Sequence, residues 1–170
     1  MSKANSEANI KNWKVLTVYY SHSGNTRECA KLIHQQAGGD IVEIIPVEPY
    51  PEDYDTVVDQ AKRELQSGYK PALRNKVDNV ESYDVILVGS PNWWNTVAPP
   101  VMTFLAAYDL SGKAIAPFIT HEGTGLGRSA GDIAKLCPGA TVLEGLAVRG
   151  GRVKGAEQEA AEWLRRLGIV

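Results

Sequence analysis

The 170 residues suit one domain with a core of its own, and 44% hydrophobic against 22% charged content is that of an ordinary folded globule. Eighteen basic and twenty acidic side chains leave a formal net charge of -2 without a basic run, so nothing draws the chain to nucleic acid. No stretch is apolar over the length a membrane span needs, and no membrane partner is expected.

The elements follow in chain order. Met1–Asn12 are polar, with no apolar core or cleavage pattern, so residues 1–13 read as a flexible leader and 14–170 as a single domain. Val15–Tyr20 is a continuous apolar run, expected as a buried strand, and Arg27–Gln36 has helical spacing with Cys29, Leu32 and Ile33 inward. Ile41–Val47 is a second strand, placed at an edge by Pro46. Glu52–Gln66 is helical, with Val57, Val58, Ala61 and Leu65 on one face, and Gly68 to Ala72 break it. Glu52, Asp53, Asp55 and Asp59 mark a solvated helix start rather than an acid pair. Val85–Val88 is a third strand, followed by a helix from Ala98 to Ala107 that begins at a proline pair. Ala114–Thr120 is the fourth strand, Ser129–Leu136 a short helix, Thr141–Val148 the fifth strand and Gly155–Leu167 the last helix. Strands alternating with helices imply an α/β fold, a parallel sheet covered on both faces. Cys29 and Cys137 fall within helical patterns far apart in sequence, so two buried thiols in a reducing, cytoplasmic compartment are expected.

Three polar loops, Ser21–Thr26, Ser90–Thr96 and Thr120–Gly127, follow strands one, three and four. In an open parallel sheet these strand ends share one edge, where ligands bind at the switch of strand order. The first loop offers hydroxyls, a glycine and the free N–H groups of a helix start, which suit a phosphate. It lacks the lysine of a triphosphate loop and the glycine pattern of a dinucleotide turn, so a phosphate monoester held by neutral donors is the remaining choice. An ordinary capped strand-to-helix turn is the bland alternative. The second loop carries Trp93 and Trp94 side by side, and the third has glycines at 123, 125 and 127. Together they fit a planar ring on a phosphorylated tail.

Ser21-x-Ser23-Gly24-Asn25-Thr26, Gly89-Ser90-Pro91-Asn92-Trp93-Trp94 and Thr120-His121-Glu122-Gly123-Thr124-Gly125-Leu126-Gly127 resemble the three flavin-mononucleotide (FMN) loops of flavodoxins, in particular a branch with a Trp pair in the second loop. The resemblance runs from Lys14 to Leu167. It implies a three-layer α/β/α sandwich with a five-stranded sheet of order 2-1-3-4-5, bound FMN and a redox role. Carried over, Ser21, Ser23, Gly24, Asn25 and Thr26 would hold the phosphate. Pro91, Asn92, Trp93, Trp94 and Asn95 would wall the isoalloxazine and ribityl chain. Thr120, His121, Glu122, Gly123 and Gly125 would approach the pyrimidine edge. Two departures from the acidic electron carriers stand out: no glycine between Ser90 and Thr96, where a peptide must turn toward reduced N5, and a near-neutral charge. Asn92 or Asn95 would tolerate the required backbone conformation less freely than glycine, and both departures weaken the case for a low-potential, one-electron shuttle.

His121 is expected to act as a hydrogen-bonding residue rather than a base, and no metal site is expected because the histidines lack ligand spacing. No residue is assigned a catalytic role, since the flavin would carry the chemistry. Three functions fit: an FMN electron carrier working with a reductase and an acceptor protein, an NAD(P)H-dependent FMN oxidoreductase acting on quinones, and a non-redox binding module. A monomer or weak dimer is expected in each case.

Overall fold

The computed structural model describes residues 13–170, so the expected leader lies, but for Trp13, outside the described residues. The first strand, β1 (Val15–Tyr19), has all five side chains buried, as a parallel strand covered on both faces must. Helix α1 (Asn25–Ala37) leads to β2 (Asp40–Glu43), then α2 (Tyr54–Ser67), β3 (Val85–Trp93) and a two-residue strand β4 (Thr96–Val97). Helix α3 (Pro99–Ala107), β5 (Ala114–His121), α4 (Ser129–Leu136), β6 (Thr141–Val142), β7 (Leu146–Arg149) and α5 (Glu157–Leu167) complete the chain. No helix among the described residues is long and apolar enough to cross a membrane.

The sheet runs β2-β1-β3-β5-β6, with β7 also on β5 and the short β4 folded back on β3. Counting β6 and β7 as one interrupted strand, this is the expected order 2-1-3-4-5. All these pairs are parallel except β3 with β4. Side chains alternate between two cores. Leu16, Val18, Ile86, Val88, Ile115 and Ile119 pack with Phe104, Leu105 and Ile133 on the α3–α4 face. Val15, Tyr19, Val85, Leu87 and Phe118 pack with Ile33, Trp163 and Leu164 on the α1–α5 face. Each such buried side chain stabilises the fold by about 1.5–3 kcal/mol before entropy is counted. Both cysteines are free and buried, and burial pushes the Cys29 thiol up to about 12.

Besides helix ends that move by a residue or two, such as the last helix beginning at Glu157 rather than Gly155, four differences from the sequence reading have a clear physical cause. The second strand ends at Glu43, because after Ile44, whose N–H still donates to the Tyr19 carbonyl at 2.7 Å, the chain leaves β1 and pairs elsewhere. Val47 N–H donates to the Ala72 carbonyl at 2.9 Å, Arg74 N–H to the Ile45 carbonyl at 2.7 Å, and Pro46, without an N–H, faces Leu73. The fifth strand is two pieces. Ile115 pairs with Val142 and Phe118 with Leu146, so two β5 residues oppose three on the last strand and the chain bulges at 143–145. Trp163 Nε1 donates to the freed Glu144 carbonyl at 2.8 Å. Helix α2 begins at Tyr54, with Asp53 as its cap accepting from Thr56 N–H at 2.9 Å. The third strand runs five residues past Val88, to Trp93, which turns the expected second loop into a hairpin.

Candidate functional site

The ends of β1, β3 and β5 open onto one crevice of about 1030 Å³, placed where the chain reverses strand order between β1 and β3. His22, Ser23 and Asn25 line it from the first loop, Pro91 to Asn95 from the second, and Thr120, His121, Glu122 and Thr124 from the third. The three stretches singled out in the sequence thus converge.

The first turn is built around Ser21. Its Oγ accepts from Gly24 N–H at 3.1 Å and Arg27 N–H at 3.2 Å, and Gly24 takes φ +104° to make the turn. Ser21 therefore shapes the turn rather than lining the crevice. Thr26 is buried, its hydroxyl 2.7 Å from that of Thr120, which ties the β1 end to the β5 end. The N–H groups of Ser23, Asn25 and Thr26 have no protein partner among the described residues. Those donors, the Ser23 hydroxyl and the Asn25 amide at the start of α1 form a cradle fitted to a phosphate. The nearby Arg27 guanidinium is held bidentate on Glu43, at 3.1 and 2.6 Å. Burial pushes the Glu43 carboxyl up, but the Arg27 bond and charge outweigh it and hold the group below the usual carboxylate range. The cradle's own donors are neutral.

The second loop is a two-residue hairpin in which Asn92 pairs with Val97 and Trp93 with Thr96. Its turn residues Trp94 and Asn95 have φ +57° and +68°, the signs of a type I′ turn. Of the two asparagines Asn95 takes the left-handed conformation and Asn92 does not; Trp94 is the other left-handed residue of the turn. Asn92 instead braces the loops. Its Oδ1 accepts from Asn95 N–H at 2.9 Å, and its Nδ2 donates to the Gly125 carbonyl at 2.8 Å. The tryptophans face different surroundings. Trp93 packs edge-on against Tyr20, His22 and Tyr50 with centroids 5.7, 5.7 and 5.0 Å away. Trp94 is 45% exposed. Burial, then the carboxylates of Glu64 and Glu43, push the Tyr20 phenol far up; burial and the bond to Glu64 do the same for Tyr50. Both phenols stay neutral at physiological pH, so this wall is uncharged.

In the third loop His121 Nδ1 accepts from Gly123 N–H at 2.9 Å, which puts the proton of the neutral ring on Nε2. The Gly123 bond thus fixes the ring and leaves Nε2–H as its donor. Arg149 donates to the Glu122 carbonyl at 3.0 Å. Gly123 (φ +146°) and Gly125 (φ +67°) give the loop its course and lie outside the crevice lining. Gly150 lets Asn25 and Glu122 approach, since a Cβ there would sit 2.5 Å from Asn25 Nδ2 and from Glu122 Oε2.

Sequence reasoning missed the fourth wall. Glu52, Tyr54, Val57, Val58 and Ala61, from α2 and the residues before it, line the crevice, as does Arg128. Tyr54, 76% exposed, and Val58 stand one turn apart, so an aromatic–apolar i, i+4 pair on an otherwise polar helix start was the available signal.

A profile of the flavodoxin family matches residues 14–167. A search of curated proteins gives no match. Among solved structures, the chain is similar to a protein from Bacteroides eggerthii DSM 20697, with 28% identity, TM-score 0.78 and coverage of 94% of this chain and 100% of that one. It is also similar to a flavoprotein from Lactobacillus acidophilus NCFM in complex with FMN, with 29% identity, TM-score 0.67 and coverage of 84% and 97%. Oxidised flavodoxin 2 from Bacillus cereus, 21% identical with TM-score 0.54 over 90% of this chain and 99% of that one, shares the fold.

Proposed function

This chain belongs to the flavodoxin family, and on that premise we propose that it binds FMN in the crevice and passes electrons through it between partner proteins. The observation that carries the reading is the convergence of a neutral phosphate cradle with an aromatic hairpin and a glycine-bearing loop at the β1–β3 switch point. The Lactobacillus relative solved with FMN supports the same cofactor. FMN, when bound, supplies one- and two-electron chemistry, and the protein supplies position and electrostatics.

Each loop has a task in this reading. Ser23, Asn25 and the N–H groups at the start of α1 hold the phosphate. Asn92 locks the second and third loops together, so the ring slot keeps its width without the ligand. Trp93 forms the slot's hydrophobic floor, braced by three aromatic neighbours. His121 Nε2–H and the polar third loop would face the pyrimidine edge. No carboxylate pair or nucleophile is needed for electron transfer, and electrons arrive from a reductase and leave to an acceptor protein. A monomer or weak dimer suffices.

The test is anaerobic mixing of holoprotein with NADH or NADPH. The carrier reading expects the flavin absorbance to persist until a flavoprotein reductase is added. Rapid bleaching by the nicotinamide alone, with turnover on a quinone, would overturn it and establish an NAD(P)H-dependent oxidoreductase.

A further inference from the structure

We infer that the tip of the second-loop hairpin, together with α2, forms a separate subsite that binds a flat aromatic anion. An open surface hollow of about 270 Å³ lies there, lined by Lys62, Leu65, Gln66, Trp94 and Arg128. It shares Trp94 and Arg128 with the main crevice but none of the phosphate-cradle residues, so it needs no flavin to form.

The backbone gives the first reason. Position one of a type I′ turn favours Asn, Asp or Gly, and a bulky residue at φ +57° is an outlier that surrounding structure must hold in place. Such strain concentrates at sites that clamp ligands. The indole is fixed as well as strained. Its Nε1 donates to the Val58 carbonyl at 2.9 Å, at one edge of the ring, yet 45% of the residue stays exposed. A ring that merely filled the core would be covered, as Trp163 is at 0%.

Charge gives the second reason. Both ionisable residues in the lining are cations. Lys62 Nζ stands 5.2 Å from the Trp94 ring centroid and has no carboxylate at ion-pair distance among the described residues. Arg128 is pinned through its backbone N–H, 2.5 Å from the Asn95 carbonyl, while its side chain stays 62% exposed and reaches Asp132 only at 3.7 Å. That carboxylate already accepts from Thr96 Oγ1 at 2.6 Å. An exposed cation over an aromatic is common in itself, but it requires neither a strained turn nor a second cation. Indole and guanidinium are both planar and stack on flat rings, and two cations select an anionic substituent. The ligand class is therefore an aromatic carboxylate or sulfonate of one or two rings.

The test uses naphthalene-2-sulfonate and its neutral analogue naphthalene-2-sulfonamide on the FMN-loaded protein. The Trp94 indole N–H signal, identified by its loss in Trp94→Asn, reports binding by ¹H–¹⁵N NMR. The sulfonate should shift that signal saturably and bind about tenfold more tightly than the sulfonamide at low salt, with the preference shrinking as salt is added. Lys62→Glu should weaken the sulfonate about fivefold to tenfold and leave the sulfonamide unchanged. Equal affinities for the two probes, a still Trp94 signal, or indifference to Lys62→Glu would each overturn the subsite. The same titration on apoprotein keeps this result separate from the flavin reading, because FMN affinity is measured independently on each sample.

Discussion

Replacing Gly127 with alanine is expected to cost about 2–4 kcal/mol of stability and to weaken FMN at least about tenfold. Two effects add. Gly127 has φ +56°, a conformation that alanine takes up at a cost of about 1 kcal/mol. An added Cβ would also lie 2.4 Å from the Asn95 carbonyl oxygen and 2.8 Å from its carbon. Those are backbone atoms that cannot swing aside, and the same oxygen accepts the Arg128 N–H. Relief requires the hairpin tip and the third loop to separate, which widens the ring slot. Gly125→Ala is the control. It shares the positive φ, at +67°, but has nothing within 4 Å of the added Cβ, so only the conformational cost remains. Urea midpoints and FMN titrations of the two variants should differ clearly. Equal losses would show that the Gly127–Asn95 approach does not hold the loops.

The adjacent tryptophans should respond oppositely to truncation. Trp93→Ala removes a ring with edge contacts to Tyr20, His22 and Tyr50, and should cost about 2–4 kcal/mol of stability, near the lower end of buried aromatic truncations because the residue is half-buried. Trp94→Ala removes an exposed ring from a strained turn and should change stability by less than about 1 kcal/mol. In apoprotein titrated with FMN, the Trp94→Ala variant should keep most of the added quenching of tryptophan emission and Trp93→Ala should lose most of it. Similar unfolding midpoints for the two variants would contradict this division of roles.

Much of the molecule was legible because the signals were local and redundant. Apolar runs such as Val85–Val88, punctuated by glycine, serine and proline, mark parallel strands wherever they occur. Once alternation fixes the parallel sheet, the loops after β1, β3 and β5 must share an edge, so the crevice followed from order alone. What the sequence hid depended on contacts between distant residues. The hairpin at Trp94–Asn95 lacks the usual Asn-Gly signal and is held by Asn92, Gly125 and Arg128 across the crevice. The contact between the Thr26 and Thr120 hydroxyls, which ties the β1 end to the β5 end, joins residues too far apart in sequence to be foreseen. The bulge at 143–145 follows from a register mismatch with β5, which a single strand cannot display. Apart from the Tyr54–Val58 pair the α2 wall left no signal, because Val57 and Ala61 look like any core face, and only the neighbouring loops make that face part of a crevice.

The phosphate of the cofactor is expected at the start of α1, and its position decides between a flavin site and an ordinary turn. Apoprotein should be titrated with FMN and with riboflavin, alongside the Ser23→Ala, Asn25→Ala double variant. Bonds from neutral donors to a phosphate dianion are charge-assisted and contribute about 1.5–3 kcal/mol each, so wild-type protein should favour FMN by about a hundredfold or more. The variant should lose most of that preference while binding riboflavin as before. Equal wild-type affinities for the two ligands, or an equal loss of both in the variant, would contradict a phosphate seated at the start of α1.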